Sequence, residues 1–234
     1  MTVAPPRPVS ALSLLLADSR LPSGAYAHSA GFEAAVQAGA TLADVPGYLR
    51  ARLATVASTD AAAAVLAARI AADAGIPGAH AATAFAELSR AVAARTPSAP
   101  MRAASRLLGR GLLRLGLRLA PHSAALGVLA QTREPFRPIV LGALVSALGG
   151  DPADAATVVC YEEAQSVASA ALKLLPTDPF ASAAWIVDLA PEIDAVVARA
   201  LAVTGPGDLP ALGAPRIEMW TQRHATERRR LFVS

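Results

Sequence analysis

The apolar stretches of this chain are cut into helix-sized pieces. No run of 18 or more apolar residues free of charge occurs, because Arg, Asp or Pro interrupts even the most apolar segments, and a bilayer-spanning helix needs roughly 20. The interruptions are themselves helix signals. Asp151-Pro152 and Asp178-Pro179 each place a capping side chain directly before a first-turn proline. Gly39 and the Gly149-Gly150 pair stand where helices stop. Hydrophobic residues make up 54% of the chain, yet aromatics are 4% and charged residues 17%, so the segments are built mainly from Ala, Leu and Val. Ala and Leu favour helix, and no β-branched alternation appears. The pattern predicts an all-α fold: a single-domain helical bundle of about nine to ten helices with a C-terminal arm.

At 234 residues the chain can bury one sizeable core. Residues 1–8, with Pro5, Pro6 and Pro8, read as a disordered lead-in, 9–204 as the helical body, 205–215 as a Gly/Pro linker and 216–234 as the arm. Helices are expected near 9–18, 25–38 and 44–58. A separate helix opens at Thr59 or Asp60 and closes at Gly75, and others cover 79–95 and 101–119. After the break at Pro121 and His122, Pro135 and Pro138 introduce a helix to Leu148. The remaining two run over 152–175 and 179–203, the last bent or split at Pro191. A mean hydropathy of +0.42 exceeds what one soluble core needs, and we assign the surplus to partner surfaces. The apolar stretch 9–17 behind Arg7 has the length of a signal-peptide core, but Asp18 and Arg20 follow it at once. We therefore read the chain as cytoplasmic.

Charge is unevenly placed. Arg216 to Ser234 holds five Arg against Glu218 and Glu227, a local +3 equal to the net charge of the whole chain, so residues 1–215 balance at 16 of each sign. Such a tail suits a nucleic acid, an anionic membrane, or a partner on which it orders. The balanced body weighs against the first two. Within the body, Arg102, Arg106, Arg110, Arg114 and Arg118 recur every four residues and wind as one drifting basic stripe opposite a leucine side. It is either a solvated face or a surface that meets an acidic protein.

Enzyme signatures are missing. Lys173 is the only lysine and no phosphate-binding loop surrounds it; the two partial glycine fingerprints fail at Arg114 and Pro210. His28, His80, His122 and His224 each lack a second ligand at helical spacing, and Cys160 stands alone in an apolar segment where a buried thiol is inert. Glu162 and Glu163 are adjacent and face different ways, which makes a poor acid–base pair. These readings predict no catalytic residue, no metal and no cofactor. One alternative is a helical enzyme holding an apolar cofactor such as haem, with His28 as axial ligand. The other is a tail-mediated nucleic-acid or membrane binder.

The most unusual stretch is Leu21-Pro-Ser-Gly-Ala-Tyr-Ala-His-Ser-Ala-Gly-Phe-Glu33. If a helix opens near Ala25, Tyr26, Ser29 and Glu33 share one side of it, and Gly31 sits in its interior at a cost of roughly 1 kcal/mol. A close backbone approach is one reason to accept that cost. Leu21-Pro22-Ser23-Gly24, the aromatic Tyr26, Ser29, Gly31 and Glu33 resemble the N-terminal signature of the UreF-type urease accessory proteins. The tail, with His224, Arg230, Leu231, Phe232 and Ser234, is similar to the terminus of that family, although Ala225 replaces its usual Glu. Ala170 to Pro176 is similar to a further family segment, from which Thr177-Asp178-Pro179 then departs.

The resemblance implies an all-α, non-enzymatic protein that dimerises and binds the UreD (UreH) scaffold. With that scaffold it recruits the nickel-carrying GTPase UreG to apo-urease. It further implies that Arg230, Leu231 and Phe232, beside His224, anchor the arm on the scaffold, Phe232 being the buried aromatic. Tyr26, Ser29, Gly31 and Glu33, with Lys173, would form the surface that influences the GTPase. Glu33 and Lys173 are expected to pair, lying within about 10 Å of each other.

Overall fold

A computed structural model of the chain describes residues 10–18, 20–22, 28–73, 78–225 and 231–232. It is 76% helical, with no strand among the described residues. In order come α1 (Ala11–Ala17), α2 (Phe32–Gln37), α3 (Val45–Arg52), α4 (Ser58–Ala72), α5 (Gly78–Ala94), α6 (Ala99–Leu119), α7 (Ala124–Ala130), α8 (Arg137–Ala147), α9 (Pro152–Leu174), α10 (Pro179–Asp188), α11 (Ala190–Ala202) and α12 (Pro215–His224). A π-helical turn, Leu53–Ala57, joins α3 to α4 without a break. Counted as one, that pair brings the described helices to eleven, ten of them of seven or more residues.

The core forms around α4. Ala61 to Ala68 are buried all round, and α8, α9, α11 and α5 surround the helix. Its neighbours cover this apolar segment on every side, which makes it an interior helix, and alanine lets them approach closely. The approach of α8 is the tightest, since a Cβ at Gly142 would lie 2.1 Å from the Ala64 carbonyl oxygen. The continuous stretch Leu42–Ala72 is long and apolar enough to cross a membrane by composition, but 67% of its most apolar window is buried inside the protein.

Local signals set most boundaries. Asp151 Oδ1 accepts the amides of Ala153 (2.8 Å) and Asp154 (3.1 Å), while Asp154 Oδ2 accepts the amide of Asp151 (3.0 Å), closing a capping box on α9. Asp178 Oδ1 caps α10 through the Phe180 amide at 3.0 Å. The expected break at Thr59 or Asp60 is absent, because burial on every side carries α3 through the π turn into α4. The short α7 was not anticipated; Ser123 caps it through the Leu126 amide, and Leu126 and Leu129 bury beneath it. The last long helix does divide near Pro191, at Leu189. The 205–215 segment is strapped down: Arg95 donates to the carbonyls of Leu209 (2.7 Å) and Gly207 (2.8 Å), and Thr59 Oγ1 donates to that of Pro210 (3.1 Å).

Candidate functional site

The helix containing the family-like stretch is shorter than its sequence spacing suggested, and this changes the role of its residues. It begins only at Phe32, so Ser29 and Gly31 precede it. Ala30 (φ 53°) and Gly31 (φ 78°) are both left-handed. Gly31 therefore caps the helix instead of weakening its interior, and a Cβ there would sit 3.0 Å from Tyr48 Oη and 3.1 Å from Thr221 Oγ1. Tyr48 Oη donates to the Ala30 carbonyl at 2.8 Å, holding the turn against α3. Ser29 Oγ accepts the Glu33 amide at 3.3 Å. Tyr26 and Arg230 lie outside the described residues.

Beyond the turn, an aromatic stack joins α2 and α3 to α12. Phe32 meets Tyr48 edge-on (5.1 Å between centroids), and Tyr48 stacks with Trp220 at 6.2 Å. Ile217, Thr221 and His224 are the buried face of α12. This packing brings the end of the chain onto Glu33, whose residue surface is only 4% exposed. His224 Nε2 lies 2.9 Å from Glu33 Oε2; the Phe232 amide donates to the same oxygen at 2.9 Å, and the Leu231 amide donates to Oε1 at 2.7 Å. Burial works to raise the carboxyl pKa, but the two amides and His224 outweigh it and hold Glu33 below the ordinary glutamate range. A buried carboxylate is tolerable only with such partners.

Lys173 reaches the same cluster by another route. Its Nζ stands 5.0 Å from the centroid of the Phe232 ring, a cation–π contact, whereas the side-chain nitrogen beside the Glu33 carboxylate is that of His224. Glu33 and Lys173 thus both contact Phe232, and among the described residues they form no direct ion pair within 4.0 Å. Phe232 is buried (5% exposed) against its own chain, and its neighbour Leu231 is 64% exposed. The structure therefore brings together Ser29, Gly31, Glu33, His224, Leu231, Phe232 and Lys173, drawn from three distant parts of the sequence.

Behind Gly31 lies a cavity of about 130 Å³ whose wall includes His28, Arg52, Asp60, Arg137, Glu162 and Glu163. Arg52 pairs with Glu163 and Arg137 with Glu162, so the adjacent glutamates, expected to face different ways, both reach this one cavity, each held by its own arginine. Sequence reasoning passed over this cluster. The available signal was two acids placed inside the apolar segment around Cys160 and Ala164, which demands buried counter-charges. Desolvation, with the Arg137 charge, pulls His28 down to about 4. The space is too small for a large apolar cofactor, which needs roughly 300 Å³ or more, and its walls are charged. Among the described residues no group of three His, Cys, Asp or Glu is placed to hold a metal.

Asp60 faces this cavity, and desolvation, followed by the Glu163 charge, pushes its pKa up to about 7. A raised carboxyl pKa means that the folded state binds more protons between roughly pH 4 and 7, so this group costs stability as pH rises through that range. Asp60→Asn should remove the cost. Melting curves of both forms at pH 5 and pH 8 should show the variant gaining on the parent at the higher pH. A difference independent of pH would refute the assignment.

Comparisons with known proteins agree on one relationship. The UreF family model matches residues 40–190. A urease accessory protein UreF of Mycobacterium sp. (strain JLS) is 39% identical over 226 residues, covering 94% of this chain and 97% of its own. One from Mycolicibacterium vanbaalenii is 36% identical over 225 residues, with coverage of 94% and 97%. The protein of the same description from Mycobacterium tuberculosis (strain ATCC 25618 / H37Rv) is 33% identical over 228 residues, with coverage of 96% and 98%.

Proposed function

Because this chain belongs to the UreF family of urease accessory proteins, we propose that it is a non-catalytic cytoplasmic adaptor in urease maturation. In this reading it dimerises, binds the UreD/UreH scaffold through its C-terminal arm, and with the scaffold recruits or regulates the UreG GTPase for nickel insertion into apo-urease. The observation that supports the reading is the convergence on Glu33. The stretch around Gly31, the end of α9 at Lys173 and the arm at His224, Leu231 and Phe232 pack into one cluster, buried at Ser29, Gly31, Glu33, His224 and Phe232 and exposed at Lys173 and Leu231. A partner that engages the arm therefore acts on the Gly31 turn through this packing and not by direct contact. The exposed Leu231 beside the buried Phe232 gives that cluster an apolar contact point.

Co-purification with the organism's own scaffold and GTPase proteins tests this directly. The full chain should form a ternary complex, and a chain ending at Ala225, which keeps α12, should not. Equal binding by both forms would remove the arm from the interface. No binding by either would overturn the adaptor reading.

A further inference from the structure

The basic helix α6 presents one exposed row made of two unlike halves. Ala103 and Leu107 form its N-terminal half, Arg110, Arg114 and Arg118 its C-terminal half, and all five are exposed. Beside the apolar half, α6 and α12 enclose an open groove of about 630 Å³, lined by Ala99, Pro100, Ala103, Leu107 and, from the other wall, Gln222 and Ala225. Arg110 stands at the end of this groove, so the cationic half continues directly from the apolar one. The arginines are only partly neutralised within the fold. Arg106 and Arg110 share Glu134, at 3.1 and 3.4 Å, and neither Arg114 nor Arg118 lies within ion-pair distance of an acid among the described residues. Like charges four apart on a helix repel, and nothing described in the chain offsets this for the last two.

We infer that this face docks a helical segment of a partner protein, apolar at one end and acidic at the other. Its apolar side chains enter the groove over Ala103 and Leu107, while its carboxylates meet Arg110, Arg114 and Arg118, which step along α6 at intervals of about 6 Å. A protein segment fits better than a nucleic acid. The described groove lining is mostly apolar, and its aromatic ring, His224, is buried and held on Glu33, so the described lining exposes no ring on which a base could stack. The groove adjoins the Glu33 cluster, because His224 belongs to both, so one partner can engage the two together.

A fluorescent 21-residue synthetic helix, with leucines along one side of its first half and glutamates along the same side of its second half, is the probe. Controls are the same residues in scrambled order and a single-stranded 20-nucleotide RNA. The full chain should bind the ordered peptide in anisotropy titrations, more weakly as salt rises. The double variant Arg114→Glu/Arg118→Glu, whose altered side chains are exposed, should lose about tenfold or more in affinity, and Leu107→Glu a similar amount. Equal binding of ordered and scrambled peptides would overturn the proposal. So would unchanged affinity in the double variant, or RNA binding tighter than the peptide and lost in the same variants.

Discussion

Replacing Glu33 with alanine should lower the hydrogen-exchange protection of the Leu231 and Phe232 amides by about a hundredfold and release the arm, leaving the bundle folded. The carboxylate is acceptor for both amides and partner to His224. Hydrogen bonds to a charged group contribute roughly 1.5–3 kcal/mol each. Bonds sharing one acceptor are not additive, so about 3 kcal/mol of arm docking is the reasonable total, which is the hundredfold. Glu33→Gln keeps the shape without the charge and should fall between the parent and the alanine form. Acid should act in the same direction. Because the folded carboxyl is held below its ordinary pKa, its contribution is full above about pH 4.5 and disappears as pH falls through the folded value. In the adaptor reading, Glu33→Ala also loses the ternary complex. Unchanged protection of the two amides would show that the arm is held by Phe232 burial alone.

The fold class was legible because helix signals are local. The capping aspartates before Pro152 and Pro179 act over three or four residues, and both helices begin where those signals stand. The run through Asp60 was misread for the same reason. Asp60 looks like a helix start in sequence, and only its surroundings show that it lies in mid-helix against Arg52, Arg137 and Glu163. Gly31 was correctly read as a sign of close approach, but its left-handed backbone removed the helix on which the Tyr26–Ser29–Glu33 face depended. The site was half legible. Glu33, His224 and Phe232 carried the family resemblance at the two ends of the chain. Their meeting is a tertiary fact, created by the aromatic stack from Phe32 through Tyr48 to Trp220.

Arg52→Met should be the more damaging change to global stability. Arg52 is the last residue of α3, and its side chain (7% exposed) holds Glu163 (18% exposed) within the charged wall. Removing one member of a buried pair leaves the other without its counter-charge and costs about 3–5 kcal/mol. The partial exposure of Glu163 places the expectation near the lower figure. For a chain of this size, about 3 kcal/mol lowers the melting temperature by roughly 6–12 °C. The loss extends beyond one pair, because Arg52 also offsets the charge of Asp60. The double variant Arg52→Met/Glu163→Leu removes the stranded carboxylate and should recover most of the loss. A single variant that melts with the parent would show that water entering the cavity already screens the pair. If the double variant recovers stability and still fails to assemble with the scaffold and GTPase proteins, the charges behind Gly31 serve partner engagement and not the fold.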